Sequence, residues 1–251
     1  MLQAIRSEGK RPPFFVVHGL HGTMAIAHAM ARALDPDQPL YVLHANGIDG
    51  TAPRHHCIED MLRGYLAEIR SVRPHGPYVL GGACAGTLVA MELARALAVE
   101  GEHVGPVILV DPPPALAPPA FRNLDPMGDR AVYQHLYASV EQTFRSFAER
   151  FGELPFDVND PAQLHRAIEV GIGTLAMFSR YVPPRFDGVT ECIVSAERAA
   201  GHFHPEGLWK HIVARPGRVH VIPGNHVELF YKYLDEVLRL VRFALEAPFH
   251  A

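Results

Sequence analysis

Apolar residues along this chain gather in short β-rich runs separated by longer stretches with helical spacing. Phe14-Phe15-Val16-Val17-His18 is one such run, and it ends in a turn, Gly19-Leu20-His21-Gly22. Helix-favouring residues extend from Met24 to Leu34 until Asp35-Pro36-Asp37 stops them. Leu40-Tyr41-Val42-Leu43 reads as a second buried strand. Ile58, Leu62, Tyr65, Leu66 and Ile69 then share one face of a helix over Ile58 to Val72. Tyr78-Val79-Leu80 leads into Gly82-Ala83-Cys84-Ala85-Gly86, followed by a strongly helical run from Thr87 to Val99. Val107-Ile108-Leu109-Val110 is a further strand, ending at Asp111. Strands that alternate with helices predict an α/β fold, a mostly parallel sheet flanked by helices on both faces.

The alternation then breaks. Pro112-Pro113-Pro114 and Pro118-Pro119 exclude regular structure. Residues 121–180 carry helical patterning without a clear strand, which predicts a helical insertion over about 115–185. Phe121, Tyr133, Leu136, Tyr137, Phe144, Phe147 and Met177 give it an apolar side, suited to ordinary packing or to a lid over a substrate channel. Strands resume at Cys192-Ile193-Val194 and Val219-His220-Val221-Ile222, and a helix from Leu234 to Leu245 closes the pattern. Polar residues 1–11 read as a tail or linker, leaving 12–251 as a single domain.

Composition narrows the function. With 251 residues, 48% of them hydrophobic, the chain can bury a large core. A net charge of -4 offers no basic face for nucleic acid, and no apolar run approaches the roughly 18 residues of a membrane span. Cys57, Cys84 and Cys192 are few and widely spaced, which predicts neither a disulfide framework nor a zinc cluster and points to a reducing cytoplasm.

The most specific chemistry lies at Gly82 to Gly86. A glycine two residues either side of a central nucleophile, between strand and helix, is the nucleophile elbow of α/β-hydrolases. The sharp turn tolerates only very small neighbours and lifts the central side chain above the sheet. Here that side chain is the thiol of Cys84. A thiol needs a base, and the usual chain order in this fold is nucleophile, acid, histidine. His226 follows the final strand in Pro223-Gly224-Asn225-His226 and is the candidate base. Asp111 and Glu197 each follow a strand on the same sheet edge, so the pattern leaves both open as its acid. Backbone N–H groups of Ala85 and Leu20 are the candidate oxyanion donors. His18 and His21 read as strand-end packing and solvent-exposed positions. His55-His56 and His202-x-His204 have no carboxylate or cysteine at zinc-ligand spacing and read as surface residues. No metal or resident cofactor is expected, and Cys57 and Cys192 read as quiet packing residues.

Taken together, the chain resembles the thioesterase domains of non-ribosomal peptide and polyketide synthases, from about Pro13 to Leu245. The likeness is carried by Phe15 to Gly22, Pro36-Asp37-Gln38-Pro39-Leu40-Tyr41, Gly47-Ile48-Asp49-Gly50 and Pro74-His75-Gly76-Pro77-Tyr78-Val79-Leu80-Gly81-Gly82. Val110-Asp111 and Pro223-Gly224-Asn225-His226 complete it. The chain departs from the family in carrying cysteine where serine is usual, Ala83 where a bulky residue often stands, and Thr87 in place of a frequent glycine. The resemblance implies an α/β-hydrolase fold and favours Asp111 as the acid. It further implies a partner carrier protein whose phosphopantetheine arm delivers an acyl or peptidyl chain to Cys84. Release then follows by cyclisation, aminolysis or hydrolysis. Rival readings are a stand-alone editing thioesterase, a dienelactone-hydrolase-like enzyme, and a non-catalytic acyl-binding or carrier-docking module.

Overall fold

The computed structural model describes residues 1–113, 128–152, 154–201 and 212–246. Phe121, Pro118-Pro119 and His202-x-His204 lie outside the described residues. Seven strands form one sheet: β1 (Leu2–Arg6), β2 (Phe14–Val17), β3 (Leu40–Leu43), β4 (Val79–Ala83), β5 (Val107–Val110), β6 (Phe186–Ser195) and β7 (Val213–Ile222). Their order is β1-β3-β2-β4-β5-β6-β7, with β1 antiparallel to β3 and every other pairing parallel. Consecutive strands are joined by helices α1 (Ala27–Ala33), α2 (Ile58–Val72) and α3 (Gly86–Val99). The later helices are α4 (Arg130–Phe151), α5 (Pro161–Ser179), α6 (Ala196–Gly201), α7 (His226–Tyr231) and α8 (Leu234–Glu246).

The central strands are apolar on both sides because both faces are covered. Phe15, Val17, Leu80, Val107 and Leu109 pack against α2 and α3 on one face. Phe14, Val16, Val79, Ile108 and Val110 pack against α1 and α8 on the other. Burial of each such side chain contributes roughly 1.5–3 kcal/mol.

Three expectations change. Residues 1–11 are not a tail: Leu2 to Arg6 form an edge strand whose partner is Leu40 to Leu43. Its short, half-buried pattern carries little local signal, and only pairing with a distant strand makes it extended. The helix foreseen from Met24 begins at Ala27, and the strand foreseen at Val219 to Ile222 extends back to Val213. Between β5 and β6, the described part of the insertion is a helix pair, α4 and α5, each started by an aspartate, Asp129 and Asp160, that accepts two backbone N–H bonds. Phe144 is buried within this pair, while Tyr133, Leu136, Tyr137 and Phe147 pack half-buried around it. Met177 turns instead to the main core.

Candidate active site

The ends of β2, β4, β5, β6 and β7 open onto one edge of the sheet, where ligands gather in open parallel sheets. Cys84 stands directly after β4 with φ +50°, the left-handed conformation of a nucleophile elbow. Its N–H donates to the Val110 carbonyl at 2.9 Å, and its own carbonyl accepts from the N–H of Thr87 at 3.1 Å and from Thr87 Oγ1 at 2.6 Å. The flanking glycines are steric necessities. A Cβ on Gly82 would lie 2.4 Å from the Gly86 carbonyl, and one on Gly86 would lie 2.1 Å from the His18 carbonyl oxygen.

His226 opens α7. Asn225 caps that helix, accepting the Glu228 N–H at 3.0 Å while Glu228 Oε2 accepts the Asn225 N–H at 3.0 Å. The cap holds the imidazole at the elbow, where it and Cys84 line one cavity and each favours the other's charged form. Its Nδ1 lies 2.6 Å from Asp111 Oδ2. Of the two acids left open, the structure therefore brings Asp111 to the histidine. Glu197 sits exposed in the first turn of α6, its N–H donating to the Gly224 carbonyl at 3.2 Å. Asp111 is fully buried at φ +45° and also accepts the Ser195 N–H at 2.7 Å.

A residue absent from the sequence reading completes this network. Arg198 of α6 places Nε 3.3 Å from Asp111 Oδ2 and donates through Nη1 to the carbonyls of Asp111 and Pro112, the latter at 2.8 Å. Nothing in its local sequence distinguishes it from the other 22 lysines and arginines. Only the register of β5 beside β6 reveals it.

Electrostatics favour an ion pair. For Cys84, burial works against the thiolate, but the hydrogen bond with His226 and the charges of His226 and Arg198 outweigh it, bringing the thiol down to about 7. For His226, burial opposes the charged ring, yet the bonds to Asp111 and Cys84 raise it to about 9. Burial alone would raise Asp111; the bonds from His226 and Ser195 and the charge of Arg198 hold it below the usual carboxylate value. Between those two values a thiolate faces an imidazolium.

The sulfur opens into a cavity of about 460 Å³. Leu20 and Ala83 line it beside Cys84, and Phe147 and Phe151 of α4 and Phe230 of α7 form an apolar wall. Ala85's backbone N–H points at the sulfur. His21, expected at the surface, is half-buried in this cavity, with its ring edge-on to Phe144 at 6.1 Å and Phe147 at 6.5 Å. Burial, followed by the charge of His226, lowers it to about 4, so it is neutral. His18 is fully buried at the end of β2. His55 is half-buried and edge-on to Tyr65 at 5.4 Å, while His56 is exposed. Among the described residues no group of three or more His, Cys, Asp or Glu is placed to hold a metal. Cys192 is fully buried, its thiol pushed up to about 12 by burial, and half-buried Cys57 stands at the N-cap of α2. Among the described residues no helix is long and apolar enough to cross a membrane.

Known proteins share this sequence pattern and this fold. The chain is 40% identical over 113 residues to malpinin synthetase of Mortierella alpina, covering 45% of this chain and 2% of that protein. Over 112 residues it is 35% identical to the nonribosomal peptide synthetase pngA of Aspergillus terreus, covering 45% of this chain and 12% of that protein. The chain thus matches only a small fraction of the length of these relatives. Among solved structures, the Vlm2 thioesterase domain bound with a dodecadepsipeptide superposes with a TM-score of 0.74 at 20% identity, covering 99% of this chain and all of that one. The NocB thioesterase domain from the nocardicin cluster gives 0.73 at 22% identity, covering 98% and 99%. These likenesses fix the fold as that of thioesterase domains, an α/β-hydrolase architecture. The family model described as "Thioesterase domain" matches residues 12–153, more than half of the chain, so this chain belongs to the thioesterase domain family.

Proposed function

We propose that this domain accepts an acyl or peptidyl chain from the phosphopantetheine arm of a carrier protein as a thioester on Cys84, and then releases it. The observation that carries the reading is a left-handed elbow cysteine sharing an apolar cavity with His226, whose Nδ1 is held by buried Asp111. The thiolate of Cys84 attacks the carrier thioester carbonyl. Backbone N–H groups of Ala85 and Leu20 receive the developing oxyanion, each such donor contributing about 3 kcal/mol. Collapse expels the pantetheine sulfur, which takes the proton from His226. A second nucleophile then attacks the acyl-Cys84 carbonyl, neutral His226 takes its proton, and the Cys84 thiolate leaves, which restores the starting pair.

Transfer from thioester to thioester preserves acyl activation, whereas transfer to a serine yields a less activated ester. Acyl-Cys84 therefore retains the driving force to acylate an amine or close a ring, with hydrolysis open to the same activated carbonyl. Phe147, Phe151 and Phe230 give an acyl chain on Cys84 an apolar wall to lie against. Intact-mass analysis after mixing with acyl-pantetheine thioesters tests the reading. An acyl adduct on the chain, absent from Cys84→Ala, is expected. No adduct with any carrier-type thioester refutes the transfer, and free acid as the only product from a carrier-bound peptidyl substrate refutes cyclisation and aminolysis.

A further inference from the structure

We propose that Arg198 is a positioning residue of this site: its guanidinium locks Asp111 in the posture that faces His226, and its charge holds the Cys84 sulfur as a thiolate. Asp111 is a non-glycine residue in the left-handed region, a posture that costs about 1–2 kcal/mol unless its surroundings hold it. That posture sends the carboxylate toward His226 and leaves the Asp111 carbonyl within reach of the same guanidinium. Arg198 grips both ends of this one residue. Nε approaches the carboxylate at 3.3 Å, and Nη1 takes the carbonyls of Asp111 and Pro112. The main chain closes the same loop, because the Ser195 N–H donates to Asp111 Oδ1 at 2.7 Å and Ser195 Oγ accepts the Arg198 N–H at 3.3 Å. A planar fork of donors can hold a carboxylate and two carbonyls together; a point ammonium cannot.

Charge is the second half of the role. The Arg198 side chain is 15% exposed and lines the same cavity as Cys84, so solvent screens it weakly. The titratable and charged groups lining the cavity with Cys84 are His226 and Tyr231 from α7, Arg198 from α6 and His21 from the turn after β2, with Asp111 behind His226. His21 is neutral, so the cations on this cavity with the sulfur are the His226 imidazolium and the Arg198 guanidinium, with Asp111 as the anion. Loss of Arg198 therefore raises the pH at which the thiol ionises.

Iodoacetamide alkylation of Cys84 in the whole chain, followed by mass spectrometry from pH 5 to 9.5, reads this out directly. Wild type should show a midpoint near 7. Arg198→Met should move it upward by about half a pH unit or more. Arg198→Lys keeps the charge and should hold the midpoint. It loses the fork, so it should lower kcat for acyl transfer by about tenfold or more while KM changes little. An unmoved midpoint in Arg198→Met, or equal shifts in the Met and Lys variants, overturns the charge role. Wild-type kcat in Arg198→Lys overturns the positioning role. Should the Met variant fail to fold, Arg198→Gln serves for the same midpoint, since it keeps hydrogen-bond donors without charge. Only the kcat readout rests on the acyl transfer proposed above. A chain with the expected alkylation profiles that never loads a thioester would defeat that transfer and leave the charge role of Arg198 standing.

Discussion

Replacing Asp111 with asparagine tests the network at its buried end. The carboxylate has no solvent exposure and accepts from His226 Nδ1 at 2.6 Å and from the Ser195 N–H at 2.7 Å. Asparagine keeps an acceptor for Ser195 but places an amide N–H₂ against His226 and Arg198, both donors. The imidazole then carries its proton on the nitrogen facing Cys84 and cannot accept the thiol's. With His226 at about 9 and Cys84 at about 7, the proton rests on the imidazole about a hundred times more often than on sulfur. Return of both groups to their ordinary values, 6.5 and 9.0, would invert that preference to about one in three hundred. Since asparagine removes one of several causes, the expected loss in acylation rate lies within that swing, about 10³-fold or about 4 kcal/mol. The assay is single-turnover loading of Cys84 from an acyl-pantetheine thioester, followed by intact mass, with circular dichroism to establish folding. Glu197→Gln serves as the control and should load within about twofold of wild type, because that side chain is exposed and the histidine's Nδ1 is already held by Asp111. A folded Asp111→Asn chain that loads within about fivefold of wild type would refute the reasoning.

Two further outcomes follow from other parts of the site. Gly86→Ala places a methyl 2.1 Å from the His18 carbonyl oxygen, a backbone atom with no room to yield, and should lower stability by about 3 kcal/mol or abolish folding; an unchanged thermal midpoint would show that the elbow relaxes freely. His18 is fully buried and held neutral, burial lowering it from 6.5 to about 4, so the unfolded chain takes up its proton first as pH falls. Its stabilising contribution is therefore complete above 6.5 and is lost toward 4, by about 2 kcal/mol between pH 7 and pH 5. A fall in the urea midpoint over that interval is expected, smaller in His18→Phe by that histidine's share because burial also lowers His21, His44 and His55, and an equal fall in the two chains would contradict it.

The elbow was legible in the sequence because its requirement is local. Two glycines flank Cys84 because the backbone itself leaves no space for a Cβ, and such crowding depends on a few neighbouring residues. The order of strands and helices was legible for a similar reason, since apolar spacing reports which face of each element is covered. His226 was legible as well, by its place after the last strand. Contacts across the sheet were not. Whether Asp111 or Glu197 serves the histidine depends on which carboxylate the strand register brings to the ring, and both stand at equivalent places in the chain pattern. Leu2 to Arg6 is five residues without clean alternation of apolar and polar positions, and becomes a strand only because Leu40 to Leu43 offers its edge. His21 seemed a surface residue until α4 covered it with Phe144 and Phe147. Arg198 is the clearest case. An arginine's meaning depends on what its fork meets, and the carbonyls it meets lie 86 and 87 positions away. The sequence by itself placed the elbow cysteine and the histidine after the last strand, through steric and topological rules that act along the chain. Tertiary structure decided which of two carboxylates left open by the residue pattern meets that histidine, the cation behind it and the wall of the cavity, because hydrogen bonds and charges act through space between segments whose spacing carries no periodic trace.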